Sequence, residues 1–322
     1  MTMIAPSPVT ARATALVDAR RPVAEDLGAA LAASIEDPDV FTAVLVKGLR
    51  DLADPEYEAG QRRIAPGIGR LFGVRWPLLA AVSRGFRNAT RREPVGSFLY
   101  VADRLFREPE LETRWFAFGL LERLVVVDAE RTWQLLRRAA REAGDWITVD
   151  SLAHPVGKGI LSEPYRWAEL EQLVYSPSRW ERRLVGSTIA TIPFIDHRLG
   201  REPDVAARGL AIIGDLIGDA EPDVQKALSW ALRSLTLVDP AAVARFVLAQ
   251  ASIARSSDDG QRAWVIRDTL TKLPTAIANE TRSQLEGIRR RPHASSTSRA
   301  AETAARFADL PLGGASAEPP LD

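Results

Sequence analysis

The chain has 322 residues, 46% hydrophobic and 26% charged, the balance of a globular protein long enough for one extended or two compact domains. Its 42 basic and 42 acidic side chains cancel, so no overall positive charge draws it to nucleic acid. The absence of cysteine excludes disulfides, thiol catalysis and cysteine-held zinc. His154, His197 and His293 fall in no metal-ligand spacing, so neither a metal nor a cofactor is implied.

Residues 1–22 carry Pro6, Pro8 and Pro22 among small and polar side chains and read as a disordered tail without a secretion signal. Helical periodicity follows almost without a break. Helices are predicted over 23–34, 38–53, 75–88, 94–106, 109–126, 128–143 and 145–160. Further ones are predicted over 163–176, 178–192, 203–217, 221–237, 239–255, 260–273 and 279–290. Asp37-Pro38, Glu163-Pro164, Glu202-Pro203 and Asp239-Pro240 are helix-start chemistry, because proline in the first turn has no N–H to leave unsatisfied. Strand signals are nearly absent, and no apolar run is long enough to span a membrane. Residues 292–322 revert to Pro, Ser, Ala and Gly and read as a mostly disordered tail with one short helix from Arg299 to Phe307. The Arg289-Arg290-Arg291 run before it reads as a solvated helix end. A cytoplasmic protein is the default.

The helices pair, with second members near Pro109, Asp145, Ser178, Glu221 and Gly260, a period of roughly 33–43 residues. That resembles the HEAT pattern. The fold expected over 23–291 is therefore all-α, a right-handed α-solenoid of helix pairs whose second helices line a concave groove.

Three stretches stand out on those second helices. In Asp145-Trp146-Ile147-Thr148-Val149-Asp150, Trp146 and Asp150 are four apart and share a helical face. Core packing explains a helical tryptophan equally well, and Asp145 reads as an N-cap. Asp150 sits mid-helix, where aspartate has poor propensity, so something outside the helix holds it. A salt bridge to Arg183 on the next repeat is one such holder. Trp180 and Arg183 follow at three apart, with Arg182 beside them. Arg183 reads either as a rung of an inter-repeat ladder or as a phosphate clamp. Lys226, Trp230 and Arg233 make a single stripe, a poor core face but a suitable surface for a nucleic-acid backbone.

These residues resemble a known family, the HEAT-like DNA alkylation repair glycosylases of the AlkD type. Trp146 to Ser151, followed by Val156-Gly157-Lys158-Gly159-Ile160-Leu161, is similar to its Trp-x-x-x-Asp motif and downstream glycine. Trp180-Glu181-Arg182-Arg183 is similar to its Trp-x-Arg-Arg segment, and Val224 to Arg233 to its Val-x-Lys-Ala-x-x-Trp-x-Leu-Arg segment. Leu71 to Arg75 and Glu112-Thr113-Arg114 extend the likeness upstream, and in all it covers roughly residues 50–250. The approach to Gly73, Ile64 to Gly69, lacks the family's aromatic contact, and Pro155 falls just past Asp150.

The resemblance implies a monomeric, monofunctional glycosylase acting on duplex DNA with cationic N3- or N7-alkylpurines. A cationic purine leaves as a neutral base without a general acid, and charge passes to the deoxyribose. Asp150 would stabilise that oxocarbenium-like sugar and position water. Trp146 and Trp230 would present π faces, and Arg183 would hold the phosphate. Lys226, Arg233, Trp180 and Arg182 would complete the DNA surface. The family engages the lesion's backbone without a deep base-flipping pocket. A catalytically silent nucleic-acid binder or a protein-interaction scaffold is the alternative.

Overall fold

The computed structural model describes residues 7–306, and its chain divides into two compact units, Met1–Arg166 and Trp167–Asp322. Among the described residues there is no strand; Arg70 and Glu110 form an isolated parallel bridge.

The first unit holds eight α-helices: α1 (Pro8–Leu31), α2 (Pro38–Asp51), α3 (Pro55–Ile64), α4 (Trp76–Ala89), α5 (Val95–Leu105), α6 (Leu111–Leu124), α7 (Ala129–Glu142) and α8 (Trp146–Ser162). They start where backbone chemistry allows. Asp37 and Asp54 accept from backbone N–H groups of the next turn, and Pro38 and Pro55 follow them at the first position. One row runs α1, α4, α6, α8; a second, α2, α5, α7, backs it. This is α-solenoid packing, in which each helix pair buries its apolar side on its neighbours. Phe86 sits at the centre of the stack, edge-on to Phe41 at 5.3 Å and to Phe98 at 5.9 Å.

The tail expected over 1–22 is corrected here: α1 begins at Pro8 and runs through Pro22. Long-range packing overrides local composition. Ala24 and Leu31 are fully buried, and α1 meets α4 glycine to backbone. A methyl on Gly28 would stand 2.0 Å from the Val82 carbonyl oxygen, and one on Gly85 2.0 Å from that of Glu25. Residues 1–6 lie outside the described residues.

The second unit holds α9 (Trp167–Gln172), α10 (Arg179–Ile195), α11 (Pro203–Leu216), α12 (Pro222–Leu235), α13 (Pro240–Ser257), α14 (Gly260–Thr269), α15 (Thr275–Gln284) and α16 (Arg299–Ala305). The row α10, α12, α14 repeats the arrangement, backed by α11 and α13, and α15 packs on α13. Its rungs are polar and one repeat long. Arg182 Nε donates to Asp219 Oδ2 at 2.7 Å, and Gln225 Nε2 donates to Gln261 Oε1 at 2.7 Å.

The C-terminal expectation also changes. α15 ends at Gln284, so the triple arginine is not a helix end. It begins a strap across the unit. Arg290 Nη1 donates to Gln225 Oε1 at 2.8 Å, and its guanidinium covers the Trp264 ring at 5.6 Å. Arg291 pairs with Asp258. Farther on, Thr297 N donates to the Gly218 carbonyl at 2.9 Å, and Thr297 Oγ1 lies 2.5 Å from an Asp259 carboxylate oxygen. α16 then packs on α11. The expected short helix is present, seven residues long; residues 307–322 lie outside the described residues.

Candidate active site

In the first unit the candidate residues lie on α8. Asp145 caps it: Oδ1 accepts from Thr148 N at 2.8 Å, and Oδ2 accepts from Thr148 Oγ1 at 2.7 Å. The same Oδ2 lies 3.7 Å from Arg114 Nη1 on α6. Burial pulls the Arg114 guanidinium below its ordinary value, against the opposing charges of Asp145 and Glu110. Ile147 packs on the small core of Ala65, Ile68, Leu71 and Leu111, beside Trp115. The first turn of α8 is thus fixed on both sides. From it Trp146 projects with 38% of its surface exposed, and Asp150 stands one turn on, half-buried.

Pro155 does not end the helix. α8 continues to Ser162 with Pro155 in its interior. An interior proline costs about 3 kcal/mol. Burial of Leu152, Val156 and Ile160, none more than 5% exposed, offsets it. Past the proline, Gly159 lets Trp133 of α7 come close: a methyl there would meet the indole at 2.8 Å.

Three residues of the first unit were not singled out as site residues in the sequence. Trp76, 63% exposed, opens α4 as Trp146 opens α8. The expected absence of an N-terminal aromatic therefore holds for Ile64 to Gly69 and not for the helix that follows. Glu112 is fully buried, and its carboxylate accepts from the N–H groups of Phe72, Gly73 and Val74 at 2.8–3.1 Å, shaping the loop into α4. Glu122, on α6, faces His154: its Oε2 lies 3.2 Å from Nδ1.

In the second unit the cationic residues differ in availability. Arg183 is 5% exposed, and its Nη1 donates to the Asp223 carbonyl at 2.6 Å. Arg182 is held by Asp219 and by the carbonyls of Ser176 and Pro177. Trp180 is half-buried with the Arg179 guanidinium 4.6 Å above its ring. On α12, Lys226 is exposed and Trp230 half-buried. Arg233 donates to the Asp268 carbonyl at 3.0 Å and pairs with its carboxylate. Burial pushes the Asp268 carboxyl up, but hydrogen bonds from Ser229 and Arg233 outweigh it and hold it below the usual range. Lys226 and Trp230 are the parts of that stripe open to a partner.

Among the described residues, no group of acidic side chains and histidines could hold a metal ion, and no helix is long and apolar enough to cross a membrane. The fold and these surfaces define an all-α repeat protein with an aromatic–carboxylate pair at one helix start and a lysine–tryptophan face on another helix. The chain belongs to the family of DNA alkylation repair enzymes, whose model matches residues 45–273, from within α2 to just past α14. That segment includes every site residue expected from the sequence. No curated protein matches the chain. A role in DNA repair follows from the family.

Proposed function

We propose that the protein is a monofunctional glycosylase that releases cationic N3- or N7-alkylpurines from duplex DNA. The observation that carries this reading is the Trp146–Asp150 pair, raised on a doubly anchored first turn within the segment matched to the family. A cationic purine is already a good leaving group, so the barrier lies in the charge gathered by the sugar. A preorganised carboxylate and an aromatic face both favour that cation. Asp150 is the stabilising carboxylate and orients the attacking water; Trp146 is the aromatic face. Lys226 and Trp230 engage the DNA backbone. Arg183, buried against the carbonyl of Asp223, serves them chiefly as the rung that sets α12 beside α10.

The test is release of free base from duplex DNA bearing 7-methylguanine. Asp150→Asn should slow single-turnover excision by about 10²-fold or more. An unchanged rate would remove Asp150 from the role of cation stabiliser. The second reading, a non-catalytic binder or scaffold, is favoured by one observation: Arg182, Arg183 and Arg233 all spend donors on internal rungs. DNA binding without base release would establish the binder, and neither would establish the scaffold.

A further inference from the structure

The stripe that begins with Trp146 and Asp150 continues along α8 to His154 and Lys158, each four residues on. Four residues advance a helix by about 6 Å, so His154 is the next neighbour of Asp150 on that face. The first two residues serve the proposed excision of cationic bases. The third has no task in it, because a cationic purine needs no proton to leave.

His154 is nonetheless arranged for proton transfer. Its Nδ1 is buried and lies 3.2 Å from Glu122 Oε2, while the side chain as a whole is 43% exposed. The ring is thus held at its Nδ1 side and partly open to solvent. A carboxylate facing Nδ1 across 3.2 Å orients the ring and leaves Nε2 as the nitrogen turned to proton exchange. Burial pushes the Glu122 carboxyl up, but His154 and the charge of Lys158 outweigh it and hold Glu122 below the usual range. Glu122 of α6 faces the imidazole, the charge of Lys158 acts on that carboxylate, and Asp150 lies one turn before His154 on α8. α7, on the other flank of α8, meets it through the Trp133 ring at Gly159.

We propose that His154 is a general acid that extends excision to lesions whose base is uncharged, with Glu122 as its positioning residue. The inference rests on the glycosylase reading above. In the step, the imidazolium passes its Nε2 proton to a ring nitrogen of the departing base. The C1′–N bond breaks and its electron pair goes to the base. Water adds to C1′, where it leaves a hydroxyl and releases a proton to solvent, and His154 takes up a proton from solvent for the next turnover. Asp150 steadies the cationic sugar in both reactions, whereas His154 acts only where the base lacks its own positive charge.

The experiment compares two duplexes under single-turnover conditions, one bearing 7-methylguanine and one bearing the uncharged 1,N6-ethenoadenine. The full-length protein should release both bases, the second with a rate that falls as pH rises. His154→Gln should lose about 10²-fold on ethenoadenine while staying within about 3-fold on 7-methylguanine. Glu122→Gln should weaken ethenoadenine release and change its pH profile, again sparing 7-methylguanine. Release of 7-methylguanine alone overturns the inference and leaves the glycosylase reading intact. An equal loss on both substrates in His154→Gln also overturns it and makes the pair a structural tie between α6 and α8. Release of neither base by the unaltered protein overturns the glycosylase reading itself, and the inference with it.

Discussion

Asp145 and Arg114 are joined through the residue that starts the site helix: one carboxylate caps α8 and, 3.7 Å away, faces the guanidinium of α6. Loss of that carboxylate has two consequences. A missing N-cap costs about 1 kcal/mol. Arg114, largely withdrawn from solvent, also loses its facing charge. Asp145→Ala should therefore lower stability by more than a cap alone, while Asp145→Asn restores the cap and not the charge. Urea denaturation of the three proteins separates the two contributions. An Asn midpoint equal to that of the unaltered protein would show that the charge does nothing.

Glu112 is the acceptor for three consecutive backbone N–H groups, and its side chain is fully buried. A hydrogen bond to a charged group contributes about 1.5–3 kcal/mol, and leaving its buried partner unmet costs a similar amount. Glu112→Ala should lower unfolding stability by roughly 3 kcal/mol or more, with the 70–75 loop the first to open. Hydrogen exchange at Gly73 and Val74 reports this. Unchanged protection there would mean that other contacts hold the loop.

The Trp146–Asp150 spacing and the Asp145 cap are local, set by 3.6 residues per turn, and both were legible. The partners of Glu112, Arg182, Arg183 and Arg233 lie 35–40 positions away, one repeat along the chain. Local spacing says nothing about them; pairing opposite charges at the repeat length is a usable signal for Arg182–Asp219 and Arg233–Asp268, but not for Glu112 or Arg183, which meet backbone groups. α3 escaped for another reason. Pro55 to Ile64 has too few apolar residues to show a period, and the Asp54 cap and the Glu58–Arg62 pair at 2.9 Å support the helix instead. The part of α1 before residue 23 escaped because its prolines spoke for disorder, whereas the helix is held by its packing on α4.

The α1–α4 contact gives the next prediction. The backbones approach so closely that Gly85 has no room for a methyl group, which would stand 2.0 Å from the Glu25 carbonyl oxygen. Neither partner is a flexible side-chain tip, so the helices must separate. Overpacking costs about 1–3 kcal/mol, and Gly85→Ala should lie at or above the top of that range despite alanine's better helix propensity. Gly119, with nothing within 4 Å of an added methyl group, is the control. Gly119→Ala should be neutral or stabilising, and thermal unfolding of both variants checks the contrast.

Asp54 supplies a pH dependence. Burial pushes its carboxyl up, but Arg75 and the N–H groups of Tyr57 and Glu56 outweigh that and leave it below its ordinary value. A carboxyl depressed in the native state favours folding fully above its unfolded value, about 3.9. That contribution disappears as pH falls through the lower native value. The melting temperature should therefore drop on acidification below about pH 4 by more in the unaltered protein than in Asp54→Asn. Parallel pH profiles would show that Asp54 contributes nothing to the acid transition.

Lys226 and Arg233 lie on one face of α12 and should answer differently to salt. Exposed Lys226 is able to displace a counterion from DNA, and each phosphate neutralised adds about one unit to the slope of log affinity against log salt. Lys226→Ala should reduce that slope by about one and leave unfolding unchanged. Arg233 is committed to Asp268 and Ser229, so a phosphate gains its charge only by displacing a carboxylate. Arg233→Ala should leave the salt slope nearly as it was and lower stability, because Asp268 then loses its cationic partner and keeps the Ser229 hydroxyl. Filter-binding titrations from low to moderate salt, paired with denaturation, test both. A slope change at Arg233 equal to that at Lys226 would mean that DNA outcompetes the rung, and would return Arg233 to the DNA surface.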